Sequence, residues 1–504
     1  MNRNPMIHLQ SHAAIRPQAT AFWFGNDVWS YHRLAVQSAR LARGLIRRGV
    51  RRGDRVALHM INRPEMLVAY AACLQLGVTA APLRTAYTSA ELLPLLKRLQ
   101  PALYLGDAGL YAGVAGATAS SLPFDRRFVV DGAVDDRRIR PFEDLLDASS
   151  DDMPAVFDAE APAVLISTSG TTGEPKLVVH THATLSATTA MGCESFGLQS
   201  DDIALGHLPL AHISGLICYL FNLRKGIPFA LMASLDPDQL LDAIERRRCT
   251  TMIGFPSTYA GLVERQQQQQ RDVQSLRLCF TGGDSCPIEL QTRFQEVTGV
   301  PLLNIWAATE AIGSVTSGKQ RGPVTRVVPG AQVRLVDAQG REVGPGETGE
   351  LCVRGANVFR GYWNQPGATA EVLKDGWYHT GDLMRQGEGD ELWFVGRQKD
   401  IIIRNGTNIS PVEVENALVA SHPAVQQAAV VGTPDGASGQ RVVGFVKLRP
   451  DAEEGVTADV LRIAAQRLAH YKVPERLVVI DKIPLNMLGK VDRKTLAAMA
   501  LRDA

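Results

Sequence analysis

Ser167-Thr-Ser-Gly-Thr-Thr-Gly-Glu-Pro-Lys176 sets five hydroxyl residues, two glycines and a lysine in ten positions. Small residues let the backbone fold tightly enough for several N–H groups to converge on one anion. Hydroxyls add donors, and the lysine adds a mobile positive charge. The composition is that of a phosphate cradle. It differs from the common P-loop, which requires Gly-Lys followed by Ser or Thr, because Pro175 precedes Lys176 and Leu177 follows it. The apolar run Ala163-Val-Leu-Ile166 leads in, and a helix is expected over about 183–190.

Outward from this loop, 504 residues are too many for one core, so two or more domains are expected. Apolar content of 45% and charged content of 21% fit a soluble globular chain. A formal net charge of +1 supplies no global field for nucleic acid or an anionic membrane. Seven cysteines stand without metal-ligand spacing, and Met1-Asn-Arg-Asn-Pro-Met6 has no apolar core of a secretory signal. Reduced thiols and a cytoplasmic location are the expectation. No run approaches the roughly 18 apolar residues of a membrane span. Met66 to Leu74 suits a buried helix instead.

The first half alternates strand-like and helix-like segments. Leu34, Leu41 and Leu45 share a helical face, and Val56-Ala-Leu58 follows a turn. Helices over about 65–76 and 89–99 precede Val78 to Leu83 and Leu103-Tyr-Leu105. The pattern predicts a parallel sheet covered by helices. Asp147 to Asp152 and the five glutamines Gln266 to Gln270 read as surface loops. Near residue 330 short strands take over: Val333-Arg-Leu-Val336, Gly349-Glu-Leu-Cys-Val353 and Glu391-Leu-Trp-Phe-Val395. A new unit begins near Lys399-Asp400, with a helix over 412–420 and strands at 428–431 and 441–448. The expected fold is α/β. It has a large N-terminal domain of helix-covered β-sheets (1–398, with a β-rich subdomain at 330–398). A small mobile α+β C-terminal domain (399–504) follows.

The order Thr-Ser-Gly-Thr-Thr-Gly-x-Pro-Lys resembles the AMP-binding motif of the adenylate-forming superfamily, which contains acyl-CoA synthetases, peptide-synthetase adenylation domains and firefly-type luciferases. The resemblance runs from Trp29-Ser-Tyr31 and Gly53-Asp54 to Pro484-Leu-Asn-Met-Leu-Gly-Lys490. It implies that Thr168, Ser169, Gly170, Thr171, Thr172, Gly173 and Lys176 bind ATP phosphates, with Thr171 also a magnesium ligand. Asn304-Ile-Trp-Ala-Ala-Thr-Glu310 resembles Tyr-Gly-x-Thr-Glu, which implies Trp306 against the adenine, Thr309 on phosphate and Glu310 on Mg²⁺. Trp306 replaces tyrosine, and Ala307 replaces glycine.

In Trp377-Tyr-His-Thr-Gly-Asp382 the resemblance assigns Asp382 to the two ribose hydroxyls, with Arg397 beside it. It makes Asp400 the hinge of the small domain and places Gly406 on the passage for a pantetheine arm, with Asn405 where relatives have a second glycine. Lys490 matches the lysine that bridges substrate carboxylate and α-phosphate. Leu208-Pro-Leu-Ala-His212-Ile-Ser-Gly215 resembles an acyl-contacting segment, with Ser214 and Gly215 read as an open side of the pocket and Phe255 as an apolar wall. Gly282-Gly283-Asp284 resembles a nucleotide-side loop, with Asp284 where alanine or glutamate is common.

The activity implied is ATP-dependent conversion of a carboxylic acid, a medium-chain fatty or aryl acid, to acyl-AMP. Transfer to coenzyme A then gives the thioester, with ATP, Mg²⁺ and coenzyme A taking part. Loading of a carrier protein, a luciferase-like oxygenase step and non-catalytic nucleotide binding stay open, and so does a homodimer.

Overall fold

The apolar runs become strands because they are short, β-branched and bounded by Gly, Pro or Asp; the longer periodic runs become helices. The computed structural model describes residues 4–131, 139–147, 158–168, 175–312, 316–435, 438–453, 455–486 and 490–502. A nine-stranded sheet has at its centre the parallel strands Ala204–Gly206, Thr251–Gly254, Leu278–Gly282 and Leu302–Trp306. A seven-stranded sheet is built on the parallel strands Arg55–His59, Thr79–Pro82 and Leu103–Asp107. It ends on the antiparallel pair Pro162–Thr168 and Lys176–Thr181.

One hydrophobic core joins these two sheets, with Phe22, Phe229 and Phe280 from the first and Leu58, Val164 and Ile166 from the second. The helix Pro64–Leu76 is buried along almost its whole length, as Met66 to Leu74 predicts. Truncating a fully buried leucine there, such as Leu67, costs about 2–5 kcal/mol. Leu34, Leu41 and Leu45 line the inner face of Tyr31–Arg47, whose N-cap Ser30 accepts the Arg33 amide.

Ala331–Val336, Thr348–Gly355, Leu373–Lys374, Trp377–Gln386 and Leu392–Arg397 form a separate five-stranded antiparallel sheet. A short turn, Gln398–Asp400, leads to a last five-stranded sheet over 402–479, packed with Pro411–Ser421, Val456–Arg467 and Arg493–Arg502. No helix among the described residues is long and apolar enough to cross a membrane.

Lys176–Thr181 is a strand antiparallel to Pro162–Thr168, and the expected helix follows it as His182–Ser195. Two local readings are corrected. Asp147 is buried and ion-paired with Arg47. Gln266 is also buried: it lies in the helix Pro256–Gln268, and its amide donates to the Arg271 carbonyl and accepts the Arg271 N–H at 2.6 and 3.0 Å.

Candidate active site

Parallel strands in an open sheet leave a crevice beyond their carboxyl ends, where loops diverge. Here Ile253-Gly254-Phe255, Gly282-Gly283 and Ile305 with Ala307 to Glu310 line that edge. The cleft, about 1620 Å³, is completed by Thr380 to Leu383, by Gln398, Lys399 and Ile401, and by Lys490.

Thr168 and Lys176 stand opposite each other at the hairpin base and both face the cleft. The Lys176 ammonium lies 4.7 Å over the Tyr362 ring. Ser169, Gly170, Thr171, Thr172 and Gly173 lie outside the described residues. The base is fixed from behind: Arg84 donates to the Ser167 carbonyl at 3.0 Å, and Tyr87 donates to the Ser167 hydroxyl at 2.9 Å. Arg84 also lines the cleft. It stands just beyond the strand Thr79–Pro82, and no local motif singles it out.

Asp382 and Arg397 are cross-strand partners, which is what their fifteen-residue separation around a hairpin becomes in space. Trp306 Nε1–H donates to Asp382 Oδ2 at 2.9 Å. Asp382 Oδ1 lies 3.2 Å from Arg397 Nε, but without hydrogen-bond alignment, so a buried acceptor is left for another donor. Burial pushes the Asp382 carboxyl above its ordinary range, while Arg397, Trp306 and Lys490 oppose the shift. The placement of Trp306 is a correction. Its ring is only 7% exposed, in the core that holds Tyr362 and Tyr378, whereas Ala307 and Ala308 line the cleft. It serves Asp382 through its N–H and offers no open face for a base.

Glu310 faces the cleft with Tyr362 donating to Oε1 at 2.9 Å. Burial raises its carboxyl above the usual value, opposed by Tyr362, Arg397 and Tyr378. A half-buried carboxylate facing the cleft is a donor that suits a hard cation, whose charge would offset its desolvation. Thr309 is held by its backbone, its carbonyl accepting the His180 Nε2–H at 2.7 Å. Tyr362 and His180 carry no sequence motif, because each acts across a long sequence separation; Tyr378 stands inside the Trp377–Asp382 motif without a role read for it.

His212 caps the helix Ile213–Lys225 by accepting the Ser214 amide, and its Nδ1 lies 2.6 Å from the Ser214 hydroxyl. Burial, with help from Lys490 and Arg84, pushes the imidazole down to about 3, so it is neutral at pH 7. His212 faces an apolar recess with Phe196, Ile217, Phe221, Phe255 and Ile312. Phe196 meets Phe221 edge-on and Phe280 at a tilt, with centroids 5.7 and 4.7 Å apart. Gly215 does not open this recess. A Cβ there would stand 2.3 Å from the Pro209 carbonyl oxygen, so glycine is needed for backbone contact.

Burial and Arg397 lower the Lys490 ammonium below its ordinary value, while Asp284 and Asp382 oppose this. Two expected residues lie off the cleft. Asp284 caps the Val491 amide at 3.3 Å, a role unlike the nucleotide contact expected. Asn405 and Gly406, at φ +49° and +74°, form the exposed turn between Ile402–Arg404 and Thr407–Ile409. Asp400 ends the short turn that enters the last sheet. On the wall of the same cleft, Glu350 and His379 cluster with Cys352, their ligand atoms within 4.8 Å of one another. His379 Nδ1 serves both neighbours there, and burial with the Glu350 charge raises the Cys352 thiol to about 11, against Arg334 and Lys374.

Known proteins share this sequence pattern and fold. The family model described as AMP-binding enzyme matches residues 9–363, and the AMP-binding enzyme C-terminal domain matches 413–490. The chain is similar to indoleacetate–CoA ligase of Aromatoleum aromaticum, 34% identical over 511 aligned residues that cover 98% of each protein. It is also similar to the medium-chain fatty-acid–CoA ligase of Escherichia coli, 30% identical over 92% of this chain and 84% of that one. The crystal structure of a benzoate CoA ligase from Burkholderia xenovorans superposes with a TM-score of 0.89 at 25% identity, over 99% of this chain and all of that one. The chain therefore belongs to the AMP-binding enzyme family of adenylate-forming proteins. It is an acid–thiol ligase of the AMP-forming, acyl-CoA synthetase class.

Proposed function

We propose that the chain activates a monocarboxylic acid with an aryl or medium-length apolar tail, using ATP, and passes the acyl group to coenzyme A. The observation that carries this reading is one cleft in which Lys490, Asp382 with Arg397, and Glu310 converge beside an apolar recess. The recess holds His212 and Ser214 as its polar groups, and His212 is neutral, so it suits an apolar tail better than a second carboxylate. The Phe196–Phe221–Phe280 cluster favours a compact aryl group over a long chain. The names of the two ligases above, one for an aromatic acid and one for a fatty acid, support the same range.

In the first step the acid's carboxylate oxygen attacks the α-phosphorus of ATP, and pyrophosphate leaves. Lys490 stabilises the charge shared between carboxylate and α-phosphate. Asp382 accepts from the ribose hydroxyls, and Thr168 and Lys176 position the distal phosphates. Glu310 would hold Mg²⁺, which supplies charge neutralisation to the phosphates when bound. In the second step residues 399–504 turn about Asp400, which withdraws Lys490 and brings the Asn405-Gly406 turn to the cleft. The coenzyme A sulfur attacks the acyl carbon, and AMP leaves.

The test is pyrophosphate release with ATP and Mg²⁺ across a panel of carboxylic acids, with and without coenzyme A. Aryl or medium-chain acids should drive release, and coenzyme A should accelerate it. Release indifferent to coenzyme A would instead favour a carrier-protein acceptor, and no release with any acid would overturn the ligase reading.

A further inference from the structure

Lys490 is held within its own unit by short-range contacts. Asn486 N–H donates to the Lys490 carbonyl at 2.7 Å, Lys490 N–H donates to Asn486 Oδ1 at 3.2 Å, and Leu485 bridges to Val491. Three residues on, Arg493 pairs with the buried Glu415 and donates to the Val430 carbonyl at 2.7 Å. These contacts fix the shape of the segment. They do not fix its place over the cleft, because all of them lie on the C-terminal side of Asp400.

A link across the divide comes from the loop that follows the strand Leu278–Gly282. Asp284 Oδ1 accepts the neighbouring Ser285 amide at 2.9 Å, which orients the carboxylate. Its Oδ2 accepts the Val491 amide at 3.3 Å, across 207 residues of sequence. Gly283, at φ +83°, adjoins the lysine stem: a Cβ there would lie in ordinary contact 3.8 Å from Lys490 Cε and tight, at 3.1 Å, against the Phe255 ring. The two residues together make a seat, with the glycine turn beside the lysine stem and aspartate holding the next backbone N–H. The same carboxylate lies among the positive charges of Lys490, Arg397 and Arg493, where it favours the protonated lysine.

We propose that Asp284 is a positioning residue that docks the Lys490 segment for adenylate formation and has no part in thioester formation. The inference rests on the two-step reading above. A carboxylate that accepts a backbone N–H makes a charge-assisted bond, so its loss should slow docking-dependent chemistry by about tenfold to a hundredfold. A residue that serves only the fold would impair both steps alike.

The experiment compares wild-type protein, Asp284→Ala and Asp284→Asn. It measures acid-dependent ATP–pyrophosphate exchange, thioester formation from a supplied acyl-adenylate, and amide hydrogen exchange over 484–493. Asp284→Ala should slow pyrophosphate exchange by about tenfold or more and leave thioester formation within about twofold. It should also raise hydrogen exchange at Val491 while leaving the core strand Leu278–Gly282 unchanged. Asp284→Asn, which keeps an acceptor oxygen, should recover part of the loss. Equal losses in both half-reactions, or unchanged exchange at Val491, would overturn the proposal. Wild-type protein that exchanges no pyrophosphate with any acid would sink the ligase reading alone, and the Val491 arm would still decide whether Asp284 docks the segment.

Discussion

The Asp382–Arg397–Trp306 cluster and the Lys490 segment face the same cleft, yet they are built on opposite principles. The cluster sits on adjacent strands in fixed register, buried, with an indole N–H and a guanidinium on one carboxylate. The Lys490 segment reaches the cleft from the unit beyond Asp400, and meets the loop at Gly283 and Asp284 through the Asp284–Val491 hydrogen bond and contact of the lysine stem beside Gly283. A group that must grip AMP through both half-reactions needs the first kind of support. A group that serves one half-reaction and then withdraws needs the second.

Removing the permanent grip gives the largest expected effect. Asp382→Ala should cut both half-reactions by about a hundredfold or more, since it leaves the ribose unheld and strands the buried Trp306 N–H. Parallel single-turnover assays would show it, and a loss confined to one half-reaction would break the contrast. Gly406→Leu acts on the mobile side. It should leave pyrophosphate exchange intact and slow thioester formation by roughly tenfold, because it strains a turn at φ +74° and adds bulk that enters the cleft only in the second state. Equal losses would mean that the turn never approaches the cleft.

A separate effect, shared by several groups, is on acid stability. Burial holds His59, His180, His182 and His207 down to about 4, and His212 to about 3. The unfolded chain takes up these protons near pH 6.5, whereas the folded chain does not. Stability is therefore full above pH 6.5 and is lost as pH falls toward the folded values, by roughly 2 kcal/mol per imidazole at pH 5. All five lie before residue 213, so amide exchange should rise in the two large sheets at pH 5 before it rises in the strands over 402–479. Thermal unfolding followed from pH 7 to 5 supplies the accompanying drop in Tm.

Much of this was legible in the residues. The helices at 64–76 and 89–99, the change to short strands after 330 and the new unit after 400 follow from periodicity and turn chemistry. The fifteen-residue spacing of Asp382 and Arg397 became a cross-strand pair. What sequence could not reveal were contacts made at a distance. Trp306 was read as the ring set against the adenine because its acceptor, Asp382, lies 76 residues away. Gly215 looked like an opening because the Pro209 carbonyl that needs its missing side chain returns by a local turn. Asp284 looked like a nucleotide contact because Val491 comes from another sheet's chain segment. The strand Lys176–Thr181 drew no reading of its own, since it runs directly into the helix expected over about 183–190.

The central claim is that Lys490 works in one half-reaction only. ATP–pyrophosphate exchange and thioester formation from a synthetic acyl-adenylate, measured side by side for wild-type and Lys490→Ala protein, test it most directly. The account predicts a drop of about a hundredfold to a thousandfold in pyrophosphate exchange, with thioester formation largely spared. A proportionate fall in both would contradict the division of labour between the buried cluster and the docked segment.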